Sequence, residues 1–529
     1  MKKHPQNENE KNKHQEPSSE LLQSIINLYI QGQLNQALSE SKLLLEKFPN
    51  SVILYNIYGA SNAALMQFDT AIESYNQALK IKPDYVEAYY NMAVAQNDKG
   101  DSDAAIESYK EALKIKPDYA EAYNNIGNVL NEKGDSDAAI ESYKEVLKIK
   151  PDYAEAYNNM GVAQNDKGDS DAAIESCKQA LKIRPDYAEA YNNIGNVAKD
   201  QGDIELAIDS YNQAINIKPN YAESYWNKSL LKLLIGEYLE GWKLYEWRWK
   251  KKPHINTIRS YHQPLWLGDK SIFNKKLLIY PEQGIGDYIQ FIRYASIIEE
   301  LGIKIILEVP LSLLKLCSTL KVQSILIEDG NPLPRFDYHC PVMSLPLALK
   351  TTLESIPAQI PYLYADKERK KLWTEKLGNK TVARIGLVWS GSTWHQNDKN
   401  RSLLLEQLTS LLLLPFEFHS LQKEVREIDL KTLIDFPKIN QHQDDLIDFS
   451  DTAGLIEEMD LVISVDTAVA HLSGAMGKKT YILLPYSPDY RWMLDREDNP
   501  WYPSATLFRQ PSAGDWDSVI SKISQLLLN

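Results

Sequence analysis

The sequence predicts an all-α solenoid of paired helices followed by two α/β halves. Three observations carry that expectation. Prolines recur every 34 residues through the first half, the rhythm after Pro253 changes to short apolar runs alternating with amphipathic segments, and the charged segment Asp366 to Lys380 divides that second part in two. At 529 residues the chain exceeds what one core supports, since domains run to roughly 100–200 residues.

The prolines stand at 49, 83, 117, 151, 185, 219 and 253. Within the period, Lys-Gly-Asp-Ser-Asp-Ala-Ala-Ile-Glu-Ser begins at Lys99, Lys133 and Lys167, followed each time by Tyr or Cys. Small residues such as Gly127 and Ala139 let two antiparallel helices approach, Tyr123, Ile126 and Tyr143 fill the space between them, and Gly134 makes the turn. Proline ends the second helix because it lacks the donor that the next turn needs. This pattern resembles the tetratricopeptide repeat, in about seven units from 18 to 254. One unit cannot bury its apolar face alone, so the resemblance implies stacked neighbours with a concave, peptide-binding surface.

Asn91, Asn125, Asn159, Asn193 and Asn227 occupy one register on the first helix of successive repeats. A carboxamide offers donors and an acceptor together, so such a row could hold an extended peptide backbone. It resembles the asparagine ladder of the protein O-GlcNAc transferase solenoid. The alternative is solvated asparagines copied along with the repeats. The seventh unit ends in Gly-Trp-Lys-Leu-Tyr-Glu-Trp-Arg-Trp, from Gly241 to Trp249. A terminal repeat must bury its outer face, so Trp242, Trp247 and Trp249 are expected to dock on the next domain.

Charge narrows the partners. With 58 basic and 72 acidic side chains the formal net charge is −14, which repels nucleic-acid phosphates and anionic membranes. Residues 1–17 are almost devoid of apolar side chains and are expected to form a disordered tail. The N-terminus has no apolar h-region, and no run of 18 apolar residues occurs, so a cytoplasmic location without signal peptide or membrane span is expected. Cys177, Cys317 and Cys340 lack metal-ligand spacing and are expected to be buried thiols.

In the second half the expected strands are Leu277 to Tyr280, Ile303 to Val309, Ser324 to Ile327, Ile385 to Trp389, Glu417 to Leu421, Leu461 to Val465 and Tyr481 to Leu484. Helices are expected around Tyr288 to Leu301, Lys367 to Leu377, Leu404 to Leu412, Thr452 to Met459 and Ala468 to Met476. Such alternation gives parallel sheets, one in 265–378 and one in 381–529, each Rossmann-like.

Two motifs lie at strand ends. In Glu282-Gln283-Gly284-Ile285-Gly286-Asp287 the glycines allow a tight turn and close backbone approach, and the helix that follows points free N–H groups at the loop. The third glycine and downstream acid of a dinucleotide fingerprint are missing, so no nicotinamide site is expected. Asp287 could instead be a simple helix cap. In Val465-Asp466-Thr467-Ala468-Val469-Ala470-His471, Asp466 or Thr467 can cap a helix and His471 follows one turn along. A diphosphate there would meet backbone donors, a hydroxyl and an imidazole; otherwise His471 packs on the sheet.

Together the motifs resemble the heptosyltransferase-like glycosyltransferases, whose GT-B architecture faces two Rossmann-like domains across a cleft. The likeness runs from about Leu277 to Leu528. It is closer to bacterial tetratricopeptide-repeat proteins with a glycosyltransferase-like domain, in the stretch from Pro281 to Phe291, Trp389-Ser390-Gly391, Arg401-Ser402, Asp466-Thr467 with His471, and Trp501-Tyr502-Pro503. The resemblance implies metal- and cofactor-independent transfer of a sugar from a nucleotide diphosphate to an acceptor hydroxyl. Asp287 would be the base, with Gly284, Gly286, Asp466, Thr467 and His471 at the donor. Lys399, Arg401 and the backbone from Gly391 and Ser392 onward are candidates to stabilise the leaving diphosphate. Ala468 stands where heptosyltransferases have glycine. Two functions are therefore expected as alternatives: a transferase whose solenoid binds a protein or peptide, and an interaction scaffold with a degenerate transferase-like domain.

Overall fold

A computed structural model describes residues 16–252, 258–395 and 397–528. The expected tail 1–17, apart from Glu16 and Pro17, lies outside the described residues, as do Pro253 and His254 at the expected end of the solenoid. The chain divides into two units, 1–198 and 199–529.

The first unit is built of helical hairpins: Ser19–Ile30 with Leu34–Lys47, Val52–Ala64 with Phe68–Ile81, Val86–Lys99 with Ser102–Ile115, Ala120–Glu132 with Ser136–Ile149, and Ala154–Lys167 with Ser170–Ile183. The recurring Lys-Gly-Asp explains the turns of the last three of these. Gly100, Gly134 and Gly168 take φ of 95°, 84° and 93°, where a side chain is strained. Asp101, Asp135 and Asp169 then cap the second helix by accepting from the N–H three residues on, at 3.2, 3.1 and 3.2 Å. Each such cap contributes about 1 kcal/mol.

Close approach inside a hairpin rests on small residues. A Cβ added at Gly127 would lie 2.5 Å from Tyr143 Cε1, and one at Gly161 would lie 2.7 Å from the sulfur of Cys177, which replaces the tyrosine there. Gly127→Ala is therefore expected to destabilise the solenoid by about 1–3 kcal/mol through overpacking, seen as an earlier thermal transition; an unchanged transition would contradict this packing.

The division falls inside the helix Ala188–Gln201, so the hairpins that end the repeat array belong wholly or partly to the second unit. Ile204–Ile217, Ala222–Leu234 and Tyr238–Tyr245 complete seven hairpins among the described residues. Two parallel sheets follow. The first has β1 (Lys276–Tyr280), β2 (Lys304–Val309), β3 (Ser324–Glu328) and β4 (Tyr338–Pro341) in the order β3-β2-β1-β4. The second has β5 (Arg384–Val388), β6 (Glu417–Ser420), β7 (Ile439–Asn440), β8 (Leu461–Val465), β9 (Thr480–Leu484) and β10 (Ala505–Arg509) in the order β10-β9-β8-β5-β6-β7. The order reverses between β1 and β4 and between β5 and β8. Open parallel sheets bind ligands just beyond the strand ends at such reversals.

Three strands went unread in the sequence. β4 is Tyr-His-Cys-Pro, with no apolar run; β7 has two residues; β10 mixes Thr506 and Arg509 with its apolar positions. The expected helix Tyr288 to Leu301 is two short helices, Ile285–Phe291 and Tyr294–Glu300. Among the described residues, no helix is long and apolar enough to cross a membrane.

The last repeat packs on the α/β part chiefly through one of the three tryptophans. Trp242 is buried and meets Phe291 and Tyr490 edge-on at 5.7 and 5.8 Å. Trp247 instead stacks on Tyr225 of the same repeat at 3.8 Å, and Trp249 lies against the Arg248 guanidinium at 4.5 Å.

Candidate functional site

The two motifs follow β1 and β8, each at the reversal of its sheet, and the structure brings them into contact. A Cβ added at Gly286 would lie 2.9 Å from His471 Cδ2 and 3.4 Å from Ala468 Cα. Here glycine serves close approach between two helix starts.

Asp287 sits in the first turn of Ile285–Phe291. One carboxylate oxygen accepts from the Gly284 N–H at 2.9 Å, closing the turn. The other pairs with Arg491, from the segment after β9. Arg491 is also held by Asp489 at 2.7 Å and donates through Nε to Gln290 at 2.8 Å. Burial pushes the Asp287 carboxyl up, opposed by the Arg491 charge.

Across the contact, Thr467 is the N-cap of Ala468–Ala475, and its hydroxyl meets the Ser464 hydroxyl at 3.0 Å rather than the helix backbone. Asp466 does not cap either; its carbonyl accepts from Arg401 at 2.8 Å. His471 is buried, stacked on Trp492 at 5.2 Å, with Nδ1 at 3.0 Å from the Tyr502 hydroxyl and Nε2 at 3.9 Å from the Asp466 carboxylate. It both packs and faces the motif.

Burial, and after it the Asp489 charge, pushes the Asp466 carboxyl up to about 6 from an ordinary 3.8. A raised folded-state value means that the stability tied to this proton is complete below about pH 4 and is lost as pH climbs through about 6. Burial and then Arg491 hold the His471 imidazole well below its usual range, so its contribution is present above pH 6.5 and lost as pH falls. Asp466→Asn is expected to flatten the decline in thermal stability between about pH 4 and 6. An identical slope in the variant, measured by calorimetry in matched buffers, would assign it elsewhere.

The candidate cations part company. Arg401 is nearly buried, and a Cβ at Gly391 would lie 2.5 Å from its Nη2; the Gly391 N–H donates to Ser402 Oγ at 3.0 Å. Ser392 and Lys399 are exposed. Sequence reasoning missed Arg491, Asp489, Gln290 and Arg426, which donates to the Gly391 carbonyl at 2.9 Å. Their only signal was the charged run Asp489-Tyr490-Arg491, which carries no recognisable spacing.

Glu282 and Gln283 also acquire a use that the motif alone does not suggest. Glu282 takes the fully buried Arg248 in a two-pronged pair at 2.8 and 3.0 Å, and Gln283 accepts from the Tyr245 hydroxyl at 3.3 Å. The loop before Asp287 is thereby anchored to the last repeat.

In the solenoid the five asparagines are half-buried, and they bridge to the preceding repeat at Asn91, Asn125, Asn159 and Asn193. Asn91 donates to Asn56 at 3.0 Å, Asn125 to Tyr90 at 3.0 Å, Asn159 to Asn124 at 3.3 Å and Asn193 to Asn158 at 2.8 Å. Asn125 donates also to Tyr109 at 3.2 Å and Asn159 also to Asn128 at 3.1 Å, so the capacity these two amides keep is that of their oxygens as acceptors.

Hairpins repeating at 34 residues, closed by glycine turns, define the first half as a tetratricopeptide-repeat solenoid. A family model described as "TPR repeat" matches residues 64–100, 96–131 and 127–168, and one described as "Tetratricopeptide repeat" matches 152–220. Protein FlbA of Caulobacter vibrioides is 26% identical over 328 residues, covering 57% of this chain and 54% of FlbA. Residues 1–254 make up less than half of the chain, so that match extends into the α/β part. The probable UDP-N-acetylglucosamine–peptide N-acetylglucosaminyltransferase SEC of Arabidopsis thaliana is 35% identical over 75 residues, 14% of this chain and 8% of SEC. The chain thus spans about half the length of the first of these relatives and under a tenth of the second. Among solved structures, MamA is 28% identical, covering 31% of this chain and 96% of MamA with a TM-score of 0.29. YrrB, described as a TPR protein with an unusual peptide-binding site, is 19% identical, covering 36% and 98% with a TM-score of 0.30.

Proposed function

We propose that the second unit is a glycosyltransferase that moves a sugar from a nucleotide-diphosphate donor to an acceptor hydroxyl, and that the solenoid holds a protein or peptide bearing the acceptor. The observation that carries this reading is the meeting of the two switch-point loops. Asp287 from one sheet and Asp466, Thr467 and His471 from the other stand around Arg491 and Arg401, the charge a leaving diphosphate needs. Asp287 accepts the proton of the acceptor hydroxyl as the sugar is transferred with inversion. The helix starts at Ile285 and Ala468 supply oriented N–H groups. The same contact supports a GT-B-like pairing of the two α/β halves. On the solenoid, the asparagine row offers its remaining amide capacity to a peptide backbone.

One observation favours the rival scaffold reading: both oxygens of Asp287 are already engaged, by Gly284 and Arg491. The deciding experiment is a thermal-shift panel of nucleoside diphosphates and their sugars on the full chain, followed by assay of donor hydrolysis and transfer. A ligand selective for the folded state raises the transition. A stabilising nucleotide and turnover of its sugar support the enzyme; no shift and no turnover across the panel leave the scaffold.

A further inference from the structure

We propose that Arg491 is a charge latch on Asp287 that a nucleoside diphosphate releases: the free protein keeps the carboxylate paired, and a bound diphosphate draws the guanidinium away. This rests on the transferase reading above, and it turns the observation that favours the scaffold into part of the mechanism.

The latch joins residues that are far apart in sequence and come from different sheets, with side chains only 10% and 17% exposed. Arg491 serves two carboxylates at once, Asp287 and Asp489, and the Asp466 carboxylate lies within electrostatic reach. A guanidinium divided among carboxylates is poised to exchange one of them for a more highly charged anion, because its planar fork suits phosphate oxygens as well as carboxylate. Two buried donors beside it point the same way. Gln290 is fully buried; its Oε1 accepts from Arg491, while its Nε2 has no hydrogen-bond partner among the described residues. The Nε of Arg401 likewise makes no hydrogen bond among the described residues.

The groups facing Asp287 are Arg491 and Asp489 from the segment after β9, His395 from the loop after β5, the Gly284 N–H from its own turn, and Tyr245 of the last repeat. Of these, Arg491 is the cation in direct contact. Losing it to a diphosphate makes Asp287 a stronger proton acceptor, so the carboxylate takes the acceptor hydroxyl's proton readily only when the donor is present, and with nucleotide alone it takes one in part from water. Arg491 is thus a positioning residue that couples donor binding to acceptor activation.

The test is isothermal titration of the full-length protein with UDP, GDP and ADP, in buffers of different ionisation enthalpy. The wild-type protein is expected to take up more protons per nucleotide bound than Asp287→Asn. Protons on the nucleotide are common to both, so the difference reports Asp287 together with the His395 that it faces. Asp287→Asn, which no longer competes for Arg491, is expected to bind the nucleotide about 10-fold more tightly, the scale of one charge-assisted hydrogen bond. In an Arg491→Met background that gain should vanish. An equal gain in the Arg491→Met background would mean direct repulsion by Asp287 and would overturn the latch, as would equal proton counts in wild type and Asp287→Asn. Should Arg491→Met fail to fold, Arg491→Gln takes its place in the comparison. If none of the three nucleotides binds, the transferase reading itself falls and takes the latch with it; binding without a proton difference sinks the latch alone.

Discussion

Arg248→Met is expected to destabilise the second unit by about 3–5 kcal/mol, the cost of leaving a buried charge without its partner. Arg248 is fully buried and Glu282 is 3% exposed, so neither charge can turn to water when the other is removed. The guanidinium also contacts Glu246 at 2.6 Å and the Ser344 hydroxyl at 2.7 Å, so its loss strands several groups together. Replacing both partners, as Arg248→Met with Glu282→Met, should recover much of the loss, because an apolar pair of similar volume avoids the desolvation. Recovery stays partial, since Glu282 also accepts from the Met343 N–H at 2.9 Å. Denaturant unfolding followed by tryptophan fluorescence reads both variants. A loss under about 1 kcal/mol for Arg248→Met would place the pair among weak surface bridges instead.

The second large effect concerns chemistry. With a donor identified by thermal shift, Asp287→Asn is expected to slow transfer by about 10²–10⁴-fold, the usual contribution of a general base, while nucleotide binding persists. The amide is nearly isosteric and has no basic oxygen, so the structural and chemical roles of Asp287 separate. Its carbonyl oxygen can still accept from Gly284, which preserves the turn. Transfer within about 10-fold of wild type would remove Asp287 from the role of base.

How much of this was legible in the sequence depends on how local the physics is. The hairpins were legible because Gly134, Asp135, Ala139 and Tyr143 act within one repeat and recur at fixed spacing. The central strands were legible because burial on both faces forces continuous apolar runs, as in Leu461–Val465. Edge strands such as β7 and β10 are shorter or mixed, and their pairing is decided by neighbours distant in sequence. At the candidate site, Asp287 and Asp466 stood out because they follow strands and open helices. Arg491 did not, since its partner is 204 positions away and the charges beside it in the chain follow no recognisable spacing. Trp247 and Trp249 were expected to dock with Trp242, but Tyr225 and Arg248 offered nearer surfaces.

The anchoring of the last repeat sets how this chain can be cut or recombined. Tyr238 lies 6.0 Å from Trp501, Trp242 packs on Phe291 and Tyr490, and Arg248 fills the socket behind Glu282. A fragment starting at the first sheet would therefore begin with an open aromatic wound and a carboxylate robbed of its counter-charge. The sheets and the closing hairpins therefore have to be moved or inherited together.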